Sequence, residues 1–274
     1  MVNKLLISVF LLYDGFMIAQ NQPTIGFPSN HFTQFTTADG LPGNVIDAFD
    51  IDQQGFMWLA TNNGLGRYDG QRFTPFKDLV AQSTLPNKAI RYVFADSRGH
   101  LWLRFLFDGA YRIDLNTYKV THLTDSFWTI DANYLPSCLE DKAGNVWLSV
   151  RAGLVKYTHK TNAFTFYPNQ DSTTRSIISL CEGDDNYCWV VSRGGLFRFD
   201  FQSHRFEREN ALMEHEKSIR AAARDAEGKL WFSRWYNNDE GLVQYDPKER
   251  KIVQSFGKTK NPELAITGTD AHNI

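Results

Sequence analysis

Short stretches in which apolar and polar residues alternate follow one another along the chain, and they fall into five groups of four. The first stretch of each group runs up to an aspartate: Val45 to Ile51, Ile90 to Ala95, Leu135 to Leu139, Ile177 to Cys181 and Ile219 to Ala223. A turn follows, as Asp52-Gln53-Gln54-Gly55, Asp96-Ser97-Arg98-Gly99, Asp141-Lys142-Ala143-Gly144 and Asp225-Ala226-Glu227-Gly228, with a copy one residue shorter at Asp184-Asp185-Asn186-Tyr187-Cys188. Aspartate can hydrogen-bond its own backbone there, and glycine supplies the positive φ of a tight hairpin. The second stretch carries a tryptophan with apolar neighbours on both sides, as in Leu101-Trp102-Leu103 and Val146-Trp147-Leu148. Such a strand is covered on both faces. The third has period two, from Leu65-Gly66-Arg67-Tyr68 to Leu242-Val243-Gln244-Tyr245. The fourth is Phe73 to Phe76, Val120 to Leu123, Phe164 to Tyr167, Phe206 to Arg208 and Ile252 to Phe256; Pro75 suits an outer strand with an unpaired edge. Helical repeats would need apolar residues at i, i+3 and i+4, which this alternation contradicts.

Five of the seven tryptophans, Trp58, Trp102, Trp147, Trp189 and Trp231, are spaced 44, 45, 42 and 42 residues apart. A fixed period in the forties marks a repeat architecture, and four antiparallel strands per period describe a β-propeller blade. The expectation is an all-β propeller of four-stranded antiparallel blades near 44–76, 88–123, 134–167, 176–208 and 218–256. Each tryptophan is expected between neighbouring blades. Asp270 to Ile274 resembles the start of another turn, so residues 264–274 read as a partial sixth blade. Phe32-Thr33-Gln34-Phe35 reads as a fourth-strand echo that would complete the last blade of a ring. Together these suggest the opening part of an incomplete seven-bladed ring.

Composition adds limits. Aromatic residues make up 14% of the chain, too many for a disordered one, and 29 basic against 31 acidic residues give a net charge of −2. That balance offers no footprint for general nucleic-acid binding. Residues 1–20 read as a signal peptide, with Lys4, the apolar run Leu5 to Leu12 and a cleavage site after Ala19, leaving 21–274 as the propeller. The run is too short to span a bilayer. Three cysteines are too few for a disulfide scaffold; Cys181 and Cys188 flank a turn that could set them opposite each other as a disulfide, the alternative being buried free thiols.

The sequence Gly40-Leu41-Pro42-Gly43-Asn44-Val45-Ile46, followed by Asp52 to Gly70 with Phe56-Met57-Trp58-Leu59-Ala60-Thr61-Asn62-Asn63-Gly64-Leu65, resembles the two-component regulator propeller repeat. The likeness weakens but persists to about residue 256. It implies the exported, periplasmic ligand-binding sensor region of a bacterial receptor. In such receptors a transmembrane helix and a cytoplasmic histidine kinase commonly follow the propeller, so any enzyme activity and any membrane contact would belong to portions beyond this chain. A small-molecule or oligosaccharide ligand is implied; a homodimer is compatible with the reading.

No binding motif transfers from the family residue by residue, so candidate contacts come from propeller geometry. The loops after the second and fourth strands share one rim, which gathers Asn62, Asn63, Arg104, Phe105, Trp128, Arg151, Arg193, Arg234, Trp235 and Tyr236. Arginines with aromatics and amides suit a sugar or acidic glycan; the bland alternative is surface charge paired with neighbouring blades. The seven histidines are scattered without a metal-ligand spacing, and the Asp-x-x-Gly turns lack the carboxylates of a calcium cage, so no metal and no cofactor is expected. No nucleophile elbow, phosphate loop or catalytic cysteine signature is present, and no catalytic residue is assigned. Three functions compete: a sensor, an exported glycan lyase or hydrolase, and a protein-interaction propeller.

Overall fold

The structure, a computed structural model, describes residues 33–123, 137–150, 153–169, 177–184, 186–192, 194–209, 219–236 and 239–258, with backbone alone at 220, 234–236, 239–240, 257 and 258. Among the described residues, twenty strands form five four-stranded sheets. The first holds β1 (Ile46–Ile51), β2 (Met57–Thr61), β3 (Gly64–Tyr68) and β4 (Phe73–Pro75); the second β5 (Ile90–Ala95), β6 (His100–Phe105), β7 (Ala110–Asp114) and β8 (Val120–Leu123). The third holds β9 (Cys138–Glu140), β10 (Val146–Val150), β11 (Gly153–Thr158) and β12 (Ala163–Pro168). The fourth holds β13 (Ile177–Glu182), β14 (Tyr187–Ser192), β15 (Gly195–Asp200) and β16 (Phe206–Arg208), and the fifth β17 (Ile219–Arg224), β18 (Leu230–Tyr236), β19 (Asp239–Asp246) and β20 (Lys251–Lys258). Within each sheet the strands lie in chain order and pair antiparallel, which is the blade predicted from the period.

The aspartate that opens each hairpin does two jobs. Asp52 Oδ1 accepts the backbone N–H groups of Gln54 and Phe56 at 2.9 and 3.0 Å, closing the turn, and Oδ2 accepts the Trp58 indole N–H at 2.8 Å. The same clasp joins Asp96 to Trp102 at 2.9 Å, Asp141 to Trp147 at 2.8 Å and Asp225 to Trp231 at 2.8 Å. This fixes the spacing of six residues between the two, because one carboxylate must reach the turn and the indole together. Gly55, Gly99, Gly144 and Gly228 sit at φ between 77° and 88°, the left-handed region that glycine enters without strain. In the shortened fourth turn Asp184 Oδ1 accepts the Asn186 N–H at 3.0 Å.

The core lies between the blades. Trp58 of the first packs with Ile90, Leu103 and Ile113 of the second, Trp147 of the third with Phe197 and Phe199 of the fourth, and Trp189 of the fourth with Phe232 and Tyr245 of the fifth. Fully burying one such side chain, about 200 Å², contributes roughly 5 kcal/mol before entropy. The first strands line up beside one another, β1 with β5, β9 with β13 and β13 with β17. Hydrogen bonds tie them: Ala95 N–H to Asp50 Oδ2 at 2.8 Å, and Cys138 N–H to the Tyr92 hydroxyl at 2.9 Å. Burial holds the Tyr92 phenol protonated far above its ordinary range.

Three expectations are corrected. Residues 33–36 are not a strand; Phe35 lies against Tyr68 and Phe73 of the first blade, at 6.3 and 5.1 Å between ring centroids. The fourth strand of that blade ends at Pro75, and Phe76 opens a four-residue helix, α1 (Phe76–Leu79), turning its ring inward to 6.2 Å from Trp58. Cys181 and Cys188 are free. Their register explains this: Cys181 pairs with Trp189 and Glu182 with Cys188, so the two thiols leave opposite faces of the sheet and enter different cores. Burial raises both thiols, Cys181 to about 12 and Cys188 further still. The signal peptide and the partial sixth blade fall outside the described residues.

Candidate functional site

Each blade presents one end to the β2–β3 type of loop and the other to the Asp turns, and the two ends differ in content. On the loop end, Asn62 and Asn63 are exposed, and both are engaged. The Asn63 amide donates to the Pro42 carbonyl at 2.9 Å and accepts from Asn87 at 3.3 Å, while Asn62 Oδ1 receives the Val45 N–H at 3.4 Å. These amides fasten the loop entering the first blade to the loop entering the second. Arg104 and Phe105 are a correction: they are only 6% and 1% exposed, because β6 continues through both and carries them into the fold. The exposed aromatic of that loop is Phe107, at 65%. It stands between Leu106 and Asp108, and Asp108 Oδ1 pairs with Lys88 at 3.1 Å. Four residues, Leu106 to Gly109, separate β6 from β7, against two between β2 and β3. That extra length was the readable signal for Phe107.

Trp128, Arg151 and Arg193 lie outside the described residues. Arg234, Trp235 and Tyr236 extend β18, whose backbone pairs with Gly241, Glu240 and Asp239. The fold thus brings Asn62, Asn63, Asn87, Lys88, Phe107 and Asp108 together on the loop end of the first two blades.

On the turn end, the structure assembles a group that spacing hid. Asp96 Oδ2 lies 3.2 Å from His100 Nδ1 and 3.3 Å from His159 Nε2, and the three ligand-type atoms fall within 4.8 Å of one another. His100 comes from the start of β6; His159 follows β11 of the next blade. The imidazole rings are 5.1 Å apart, and Tyr157 meets His159 edge-on at 4.7 Å. Burial pushes His159 below the ordinary imidazole range, with Asp96 opposing. Burial alone would raise Asp96, but hydrogen bonds from His100 and Trp102 outweigh it and hold the carboxylate below its usual range. Beside this group is a cavity of about 360 Å³ between Arg98, Asn145, Thr158, His159 and Lys160. The expectation of scattered histidines therefore fails for this pair. Comparing the repeats position by position could have found it, since the place of His159 holds Gly70, Leu115, Phe201 and Pro247 in the other blades.

The fold and these ends define a β-propeller of four-stranded blades with a loop-bearing face. The family model for the two component regulator propeller matches residues 40–63, the segment of the first blade from the loop before β1 to the loop between β2 and β3. No curated protein sequence matches the chain. Among solved structures it is similar to the extracellular domain of the hybrid two component system BT3049 from B. thetaiotaomicron, at 17% identity and a TM-score of 0.65 over 82% of this chain and 32% of that one. A second likeness is to the extracellular domain of the one component system BT4673 from the same organism, at 20% identity and a TM-score of 0.60, again over 82% and 32%. Virginiamycin B lyase from Staphylococcus aureus shares the fold at 14% identity and a TM-score of 0.57, covering 78% of this chain and 70% of the lyase. The chain thus spans about a third of the length of the two extracellular domains. Among the described residues, no helix is long and apolar enough to cross a membrane.

Proposed function

We propose that this chain is the ligand-binding propeller of an exported sensor, placed in the periplasm as part of a seven-bladed ring and serving a two-component receptor. The observation that carries the reading is the regulator-propeller repeat at 40–63 on a fold shared with the extracellular domains of a hybrid two component system and a one component system. The ligand class is a small molecule or oligosaccharide held on the loop end. Support comes from its chemistry: an exposed aromatic face at Phe107, amides at Asn63 and Asn87, and the Lys88–Asp108 pair, the mixture of stacking surface and fixed polar groups that sugars require. Arg234, Trp235 and Tyr236 would extend the same surface from the fifth blade.

A panel of neutral and acidic oligosaccharides, screened on an array and followed by calorimetry, tests this. Binding should appear without turnover, and F107A combined with N63A should weaken it at least tenfold. An unchanged affinity removes this end from the site, while consumption of the sugar replaces the sensor reading with a glycan lyase or hydrolase. Failure of every sugar to bind would leave the protein-interaction propeller as the better account.

A further inference from the structure

Asp96, His100 and His159 occupy one seam between the second and third blades, and their arrangement has a specific chemical meaning. In a tetrahedral site with metal–ligand bonds of about 2.0–2.1 Å, ligand atoms stand about 3.3 Å apart. The separations of Asp96 Oδ2 from the two imidazole nitrogens, 3.2 and 3.3 Å, match that edge. His159 is 9% exposed and its Nε2 makes no hydrogen bond, although it lies against the carboxylate. A buried imidazole nitrogen without a hydrogen-bond partner is costly unless it has another partner. The rest of the surroundings orient the carboxylate as ligating carboxylates are oriented: the Trp102 indole donates to Asp96 Oδ2 at 2.9 Å, and the N–H groups of Arg98 and His100 donate to Oδ1 at 3.0 and 2.8 Å.

The other seams show that the turn architecture does not require this chemistry. The residue four places after the turn aspartate is Phe56, Asn145 or Lys229 elsewhere, and the place of His159 is taken by Leu115, which packs with the Trp58 core, and by Phe201, which stacks on Trp147 at 5.0 Å. Two imidazoles meet at one seam only among those described, and the shared aspartate lies between them. We propose that Asp96 Oδ2, His100 Nδ1 and His159 Nε2 bind one divalent transition-metal ion of the zinc class, clamping the second blade to the third. One carboxylate and two neutral imidazoles are a zinc-type donor set. Because His159 also lines the 360 Å³ cavity, the ion has a way in and room for a fourth ligand, water or an anion drawn by Arg98 and Lys160. This site lies on the end of the propeller opposite the sugar surface and does not depend on it.

The test is zinc titration of the chelator-treated 274-residue chain by calorimetry, with metal analysis after dialysis. One equivalent should bind, H100Q and H159Q should each weaken binding about 100-fold or more, and zinc should raise the melting temperature of the parent chain but not of the variants. Asp96 is left untouched because it also holds Trp102. Should the variants fail to fold, cobalt(II) bound to the parent chain gives an independent reading. Intense visible bands of four-coordinate cobalt support the site, and the weak spectrum of a six-coordinate aquo ion overturns it. No stoichiometric uptake, or an H100Q/H159Q double variant that binds zinc as tightly as the parent, also overturns it.

Discussion

The seam between the first and second blades and the seam between the second and third are built on the same frame, each with an apolar core, and differ in chemistry at their turn ends. Both have a turn aspartate clasping a tryptophan, Asp52 with Trp58 and Asp96 with Trp102, at 2.8 and 2.9 Å. In the first, the flanking positions are Phe56, whose ring lies under the Arg67 guanidinium at 4.3 Å, and Leu115, which packs against the apolar core. In the second they are His100 and His159, and the seam holds a polar group with a buried imidazole nitrogen left without a hydrogen bond. The lesson is that the repeated residues build the propeller, whereas chemistry beyond folding is to be sought where one copy departs from the others.

The largest test of the shared frame is removal of an inter-blade tryptophan. Trp147 is fully buried and touches Tyr167, Phe199 and Phe201, so W147A should cost about 3–5 kcal/mol in denaturant unfolding. An unchanged midpoint would falsify its role as the seam filler. Next comes the clasp. Replacing Asp52 by Ala strips a turn of its cap and leaves a buried indole N–H unpaired, about 2–4 kcal/mol, whereas D184A in the shortened turn should cost about 1 kcal/mol or less. Equal losses would show that the aspartates act only as turn formers.

A smaller effect addresses the contrast itself. H159L gives the second seam the residue of the first, and in metal-free buffer it should leave stability unchanged or raise it by up to about 1 kcal/mol, because a buried imidazole nitrogen that makes no hydrogen bond is removed. A large loss would mean that the imidazole is held by interactions the Leu115 seam does not need. The clasp also has a pH signature. Burial would raise Asp225, but hydrogen bonds from Trp231, Lys229 and Gln244 hold its carboxylate below 3.8. Its contribution is therefore complete above the unfolded value near 3.8 and is lost as pH falls through the lower folded value. Melting temperature plotted from pH 5 to 2 should fall less steeply in D225N, and parallel curves would remove Asp225 from acid unfolding. Finally, Cys138, Cys181 and Cys188 should resist iodoacetamide at pH 8 in the native chain and take three adducts once unfolded, since burial raises all three thiols. A chain that takes only one adduct after unfolding without reductant would restore the disulfide.

Much of the frame was legible because its causes are local. The turn aspartate and glycine, the alternation along each strand and the tryptophan period depend on residues within one hairpin, and the strand limits agree with them to a residue or two in most blades. The errors have equally definite causes. Phe105 and Arg104 read as rim residues because the end of β6 has no local marker, and the exposed ring turned out to be Phe107, two places on. The cysteine pair failed by one place in register, since a shift of one residue sends a side chain to the other face of a sheet.

What the sequence determined by itself is the blade: its four strands, its hairpin chemistry and its repetition, all set by contacts between residues close in the chain. What only the tertiary structure decided is the content of the seams. The Asp carboxylate was readable as a turn former, but its second oxygen found the indole only when the hairpin closed, and His100 and His159, 59 positions apart, met only when one blade was laid against the next. Those meetings depend on how sheets stack about an axis, and side-chain chemistry at that range leaves no spacing in the chain to be read.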